Sequence, residues 1–355
     1  MNKSRFRLQS LLIVLLVALL VTSVVSAAPK DGPTVNLSVS QSTFDSTQDV
    51  LVDVTFSNST KHTVRILKWF TPADGLEEAV FKVLRDGEIV AYTGAHYKRP
   101  NAIGKDYISL KAGDSLTYTV NLSDYYDFTQ TGEYDVSYSA SSFQLFNEKG
   151  NAFKSRDALT SAPINFKADG REAKGRPTPP PPPPSGGNSF SACTVDQQSL
   201  IVSARNQAKT YSSQAENYLF ANNSGTPRYT EWFGAYSSTR YNTVKTNFTA
   251  ISDAWDNAGV NFDCKCKQPY YAYVYPNQPY NIYLCKAFWT APLAGTDSKA
   301  GTLIHEMSHF DIIAATDDVV YGQAGARDLA DTDPNSAIIN ADSHEYFAEN
   351  TPSLP

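Results

Sequence analysis

The chain has 355 residues, 41% of them hydrophobic, and a net charge of −6, which is long enough for two domains with separate cores. From Ser189 onward it carries 17 acidic against 10 basic side chains, a charge of −7, while the remainder is close to +1. That balance argues against a nucleic-acid partner and favours basic substrates, whose approach an acidic cleft would steer.

The N-terminus sets Lys3, Arg5 and Arg7 before an apolar run at 11–21 and a small-residue site at Val25-Ser26-Ala27. This pattern predicts a signal peptide at 1–27, cut after Ala27, and a secreted product with no membrane attachment after cleavage. The apolar run is shorter than the ~20 residues a membrane span requires.

Between 34 and 167 the pattern alternates with period two, as in 34–39, 50–56, 115–120 and 134–138. Arg85-Asp86-Gly87 between two such runs is a hairpin signal. Short strands at this spacing predict an all-β, immunoglobulin-like antiparallel sandwich over 28–170. Residues 171–188, REAKGRPTPPPPPPSGGN, cannot pack and predict a linker.

Residues 189–355 change period and predict a mainly helical α+β domain with a small antiparallel sheet. Amphipathic helices are expected at 196–220, 240–254, 298–310, 323–330 and 334–350, and a strand pair at 271–275 and 282–284. All four cysteines lie here. In an exported chain an even count implies disulfides. Cys264 and Cys266 are too close to bridge each other, and of the two remaining connectivities the expected one is Cys193–Cys264 with Cys266–Cys285. A zinc knuckle of the four is disfavoured by the C-x-C spacing.

The segment His305-Glu306-Met307-Ser308-His309 reads H-E-x-x-H. On a helix, positions i and i+4 share a face, so two imidazoles can meet one metal while Glu306 is placed to touch a water on it. A catalytic zinc needs a third protein ligand and an open position. Asp318, three residues before Tyr321, is the candidate, with Asp317 and Asp311 as competitors that spacing alone does not separate.

These residues, with Thr316 to Gln323, Pro227 to Gly234 and the late Asn340 to Asn350 run, resemble the deuterolysin (aspzincin) family of metallopeptidases. The late run looks like its peptidyl-Lys metalloendopeptidase branch. The resemblance implies one zinc ion on His305, His309 and Asp318, with Glu306 as general base and Tyr321 as hydrogen-bond donor to the oxyanion. It also implies that Asp342 and Glu345, i and i+3 on one helix face, floor an S1′ pocket for lysine. The expected product is a secreted, monomeric zinc endopeptidase made as a zymogen. Its substrates are proteins or peptides with accessible lysine, cut on the amino side of that residue. The N-terminal domain would serve as intramolecular inhibitor. With no cysteine there, the plug must be backbone or another side chain, and Ala173–Lys174 is the expected release site. The alternatives are a protease without lysine preference, a surface-binding module with structural zinc, and a retained sandwich that targets the enzyme.

Overall fold

The computed structural model describes residues 32–146, 156–172 and 186–355. The expected signal peptide, most of the linker and the Ala173–Lys174 bond fall outside these residues. Among the described residues no helix is long and apolar enough to cross a membrane.

Among the described residues the alternating half forms β1 (Pro33–Val39), β2 (Thr43–Phe44), β3 (Leu51–Asn58), β4 (Val64–Leu67), β5 (Phe81–Arg85), β6 (Glu88–Ile89), β7 (His96–Lys98), β8 (Tyr107–Leu110), β9 (Ser115–Asn121), β10 (Gly132–Ser142), β11 (Asp157–Thr160) and β12 (Ile164–Ala168). One sheet runs β1-β3-β9, a second runs β2-β12-β10-β5-β6 with β11 also on β10, and β4 pairs with β8. All pairs in these sheets are antiparallel except β2 with β12. The period-two pattern turns Val52, Val54 and Phe56 from one sheet, and Val83, Tyr134, Val136, Tyr138 and Phe166 from the other, into one apolar core. The predicted hairpin forms at Asp86-Gly87, whose φ angles of 50° and 88° suit a two-residue turn that glycine adopts without strain.

The second half supplies β13 (Asn188–Ser191), β14 (Val260–Asp263), β15 (Ala272–Val274) and β16 (Asn281–Leu284). Its helices are α1 (Val195–Asn222), α2 (Pro227–Phe233), α3 (Ser238–Asn257), α4 (Lys286–Thr290), α5 (Lys299–His309), α6 (Gly322–Thr332), α7 (Pro334–Ala337) and α8 (Ala341–Glu349). Thr194 and Gln197 form a capping box that starts α1, and Ser298 caps α5 through the Gly301 N–H. Strands β13, β14 and β16 are parallel, and β15 returns antiparallel to β16. Disulfides Cys193–Cys264 and Cys266–Cys285 clip the ends of these strands in the expected connectivity.

Three expectations are corrected. The sheet expected to be antiparallel is mixed, because β13, β14 and β16 run parallel and only the pairings of β15 are antiparallel. The helix expected at 334–350 is broken at Ile338–Asn340, where the chain keeps its own turn bonds and also bonds to the loop after α5. Asp317 N–H donates to Ile339 O and Ala341 N–H to Asp317 O, and Val320 N–H donates to Asn340 Oδ1. The small sheet of the helical half is also not its own. Its free edge, β15, is taken by β7, a strand of the N-terminal half, which makes a five-stranded sheet.

Candidate active site

The site begins with α5, all of whose residues are buried. Gly301 lets α8 approach, since a Cβ there would collide with the side chains of Glu345 and Glu349. Glu349 then accepts from Ser298 N (2.9 Å) and Ser298 Oγ (2.7 Å), tying the end of α8 to the start of α5. One turn further on, the i, i+4 spacing brings His305 Nε2 and His309 Nε2 to 3.1 Å.

The loop between α5 and α6 supplies the carboxylate. Thr316 anchors it, with its N–H on Ser308 O, its hydroxyl 2.6 Å from Ser308 Oγ and its carbonyl 2.8 Å from His309 Nδ1. The paired break before α8 fixes the next residues. Asp318 Oδ1 therefore points between the imidazoles, 3.1 Å from His305 Nε2 and 3.5 Å from His309 Nε2. Asp317 turns aside, half exposed, and accepts the Asp318 N–H at 2.8 Å. Asp311 is exposed beyond the helix. Of the three acids the sequence left open, the loop brings only Asp318 to the histidines.

These residues fit a zinc ion. Two imidazole nitrogens and one carboxylate oxygen converge, and Asp318 Oδ1 and both Glu306 carboxylate oxygens are buried without a hydrogen-bond partner. The supporting contacts are those a zinc site uses: His309 Nδ1 faces a backbone carbonyl, and His305 Nδ1 lies 2.8 Å from Asp342 Oδ1. Burial pushes the Glu306 carboxyl well above its ordinary range.

Asp342 and Glu345 are not a solvated face; neither is exposed. Between them sits the ammonium of Lys98, the last residue of β7, 2.7 Å from Asp342 Oδ1 and 2.8 Å from Glu345 Oε2. Asp297 lies 3.5 Å away, and the Tyr346 ring is 5.1 Å beneath the charge. Burial would raise the Asp342 carboxyl, but Lys98 and His305 outweigh it and hold it at about 2. Burial alone would lower Lys98, yet the two acids carry it well above the usual lysine range. Asp342 also accepts the Gly322 N–H, so one carboxylate positions a histidine, a lysine and the start of α6.

The backbone of β7 lies along the site. It pairs antiparallel with β15 in the register Lys98 to Ala272, Tyr97 to Tyr273 and His96 to Val274. Tyr97 N–H donates to Asp318 Oδ2 at 2.9 Å. The next residue engages Tyr321: Arg99 Nη1 donates to its phenol oxygen, which in turn donates to Glu78 Oε1, both at 2.9 Å. Arg99 also pairs with Glu78 and stacks on Trp69 and Tyr97, 4.9 and 4.8 Å from the ring centres. Burial lifts the Glu78 carboxyl to about 8 despite this arginine. The Tyr321 ring accordingly belongs to the apolar core of the N-terminal half.

Sequence reasoning did not find His96, Lys98, Arg99 or Glu78. The signal available was a lysine in a strand-length run, in a chain whose resemblance implies a lysine pocket. His344 is structural, with Nδ1 on Asn340 O and Nε2 facing Asn247. Asn58 and Asn247, each the first residue of an Asn-x-Thr motif, are both buried.

Together the fold and site define a zinc metalloendopeptidase. The family model described as lysine-specific metallo-endopeptidase matches residues 218–349. An extracellular protease of Aeromonas hydrophila is 46% identical over 86% of this chain and 89% of its own. A peptidyl-Lys metalloendopeptidase of Armillaria mellea is 38% identical over 85% of this chain and 87% of its own. A solved zinc peptidase from Grifola frondosa is 45% identical, covering 46% of this chain and all of its own, with a TM-score of 0.45. The chain belongs to the aspzincin, or deuterolysin, family of zinc metallopeptidases.

Proposed function

We propose that this chain is the zymogen of a secreted, monomeric endopeptidase that binds one zinc ion and cleaves on the amino side of lysine. The observation that carries the reading is the Lys98 ammonium, buried between Asp342 and Glu345. Two carboxylates on one buried helix face repel each other unless a cation joins them, so a lysine at P1′ would satisfy the pocket as Lys98 does.

His305, His309 and Asp318 would hold the zinc, which supplies a polarising charge and activates water near neutral pH. Glu306 accepts the proton of the attacking water and passes it to the leaving nitrogen. Tyr321, once free of Arg99 and Glu78, donates to the developing oxyanion. β15 aligns the substrate backbone, as it aligns β7, and Asp342 with Glu345 reads the lysine.

The N-terminal region, an immunoglobulin-like propeptide domain over 28–170, is the inhibitor in this reading. The shared core of its two sheets supports the sandwich, and β7 supports the inhibition. It keeps substrate from the edge of β15, fills the lysine pocket and draws Tyr321 away. Release would follow removal of the signal at 1–27 and a cut in the linker at 171–188, leaving a peptidase domain at 189–355. Full-length and processed protein are to be incubated with a denatured protein, with and without chelator, and the new N-termini sequenced. Lysine at each new N-terminus, in the processed and chelator-free samples alone, is the expected result. Cuts scattered before other residues would favour a protease without lysine preference, and equal activity of the full-length chain would remove the inhibitory role.

A further inference from the structure

The blocking strand poses a problem of its own. It carries a lysine in the lysine pocket, its backbone pairs with the edge strand, and the Tyr97 N–H, one residue before that lysine, donates to Asp318. A strand so placed is a substrate unless the attacking water is missing. Resting on the zinc-peptidase reading, we propose that His96 is a fourth zinc ligand in the full-length chain. With His305, His309 and Asp318 it would close the site and exclude the water that hydrolysis requires.

The geometry favours this role. One nitrogen of His96, one of His309 and one oxygen of Asp318 all lie within 4.8 Å of one another. The His96 ring centre is 4.8 Å from that of His309, the same separation as between the two H-E-x-x-H histidines. His96 Nδ1 faces Asp317 Oδ1 at 3.5 Å, which leaves Nε2 as the ring's other nitrogen. A carboxylate behind one imidazole nitrogen is the usual support for a histidine that ligates through the other. The half-exposed Asp317, with no place in the catalytic set, thereby acquires a function. The ring is held edge-on to Tyr92 at 5.9 Å, and its backbone is paired opposite Val274.

The chemistry fits the location. Three imidazoles and a carboxylate make a closed four-ligand zinc site of the structural kind, whereas three protein ligands leave the position a catalytic zinc keeps for water. A thiolate plug is not open to this chain, because all four cysteines lie beyond residue 190 and are joined in disulfides. An imidazole from β7 would do the same work, and departure of the strand would return the position to water.

The test uses the full-length chain carrying Glu306→Gln, so that it stays uncut. X-ray absorption of its zinc form is expected to count three imidazoles, against two for the processed wild-type enzyme. Adding His96→Ala should change the visible spectrum of the Co(II) form. It should also weaken zinc in a chelator competition by at least about tenfold, the lower end of what losing even an outer-shell partner costs. Two imidazoles in the full-length chain, or a Co(II) spectrum and zinc affinity indifferent to His96→Ala, would overturn the proposal and leave the peptidase reading intact. A full-length chain that takes up neither metal would overturn both. The imidazole count needs no change at His96, so it decides the matter even if the His96 variant fails to fold.

Discussion

The two halves of this molecule bury different things. The N-terminal half folds around Val, Phe and Tyr supplied by alternating strands, and most of its charged side chains stay outside. The C-terminal half buries His305, Glu306, His309, Asp318, Asp342 and Glu345 within two helices and a loop. The exceptions in the first half are the instructive part. Lys98, Arg99 and Glu78 are its buried charges among the described residues, and each reaches Tyr321 or the pair Asp342 and Glu345. A charge is tolerated inside a protein when it is paired and hydrogen-bonded. Here the partners of Lys98 come from the other half, so the two cores are joined by ion pairs that neither could satisfy alone.

That contrast can be broken from either side. The largest effect belongs to the catalytic half: in the processed enzyme, Glu306→Gln should lower kcat by about 10²–10⁴-fold while zinc content, measured by metal analysis, is retained. Tyr321→Phe should follow, with a loss of about 10²–10³ in kcat and little change in KM. Both are read from steady-state rates on a lysine peptide.

Across the junction, Lys98→Ala in the full-length chain leaves two buried acids facing each other. It should weaken the hold of β7 by about 3–5 kcal/mol. Hydrolysis of an added lysine peptide by uncut protein should then become measurable, and no gain in activity would argue against Lys98 as the plug. Glu345→Gln in the processed enzyme should cost about 1.5–3 kcal/mol in kcat/KM for lysine substrates, since one charged hydrogen bond is lost and Asp342 remains. An unchanged preference for lysine would remove Glu345 from the pocket. The smallest effect lies far from the site. Gly87→Ala places a Cβ at φ 88° and should destabilise the N-terminal half by about 1–2 kcal/mol, seen as a shifted denaturation midpoint with the processed enzyme unaffected.

Much of this was legible without coordinates because it is local. The i, i+4 spacing of His305 and His309 and the turn at Asp86-Gly87 are each set by a few consecutive residues. So is the amphipathic run that became α1. The expected cysteine pairing also appears in the structure. Asp318 stood beside its competitors because a loop has no period. It is distinguished by the anchor at Thr316 and by the bonds that Asp317 and Val320 make with a broken helix some twenty residues later. That break was itself invisible, since Pro334 to Asn350 carries a continuous helical pattern.

The sequence by itself determined the H-E-x-x-H helix, the strand content of the first half and the family to which the chain belongs. Only the tertiary structure decided that His96 and Lys98 lie against Asp318, Asp342 and Glu345 and that Tyr321 bonds to Arg99 and Glu78. The physical reason is distance along the chain. Lys98 meets Asp342, and Arg99 meets Tyr321, across more than two hundred residues. Contacts of that kind leave no periodicity in the chain.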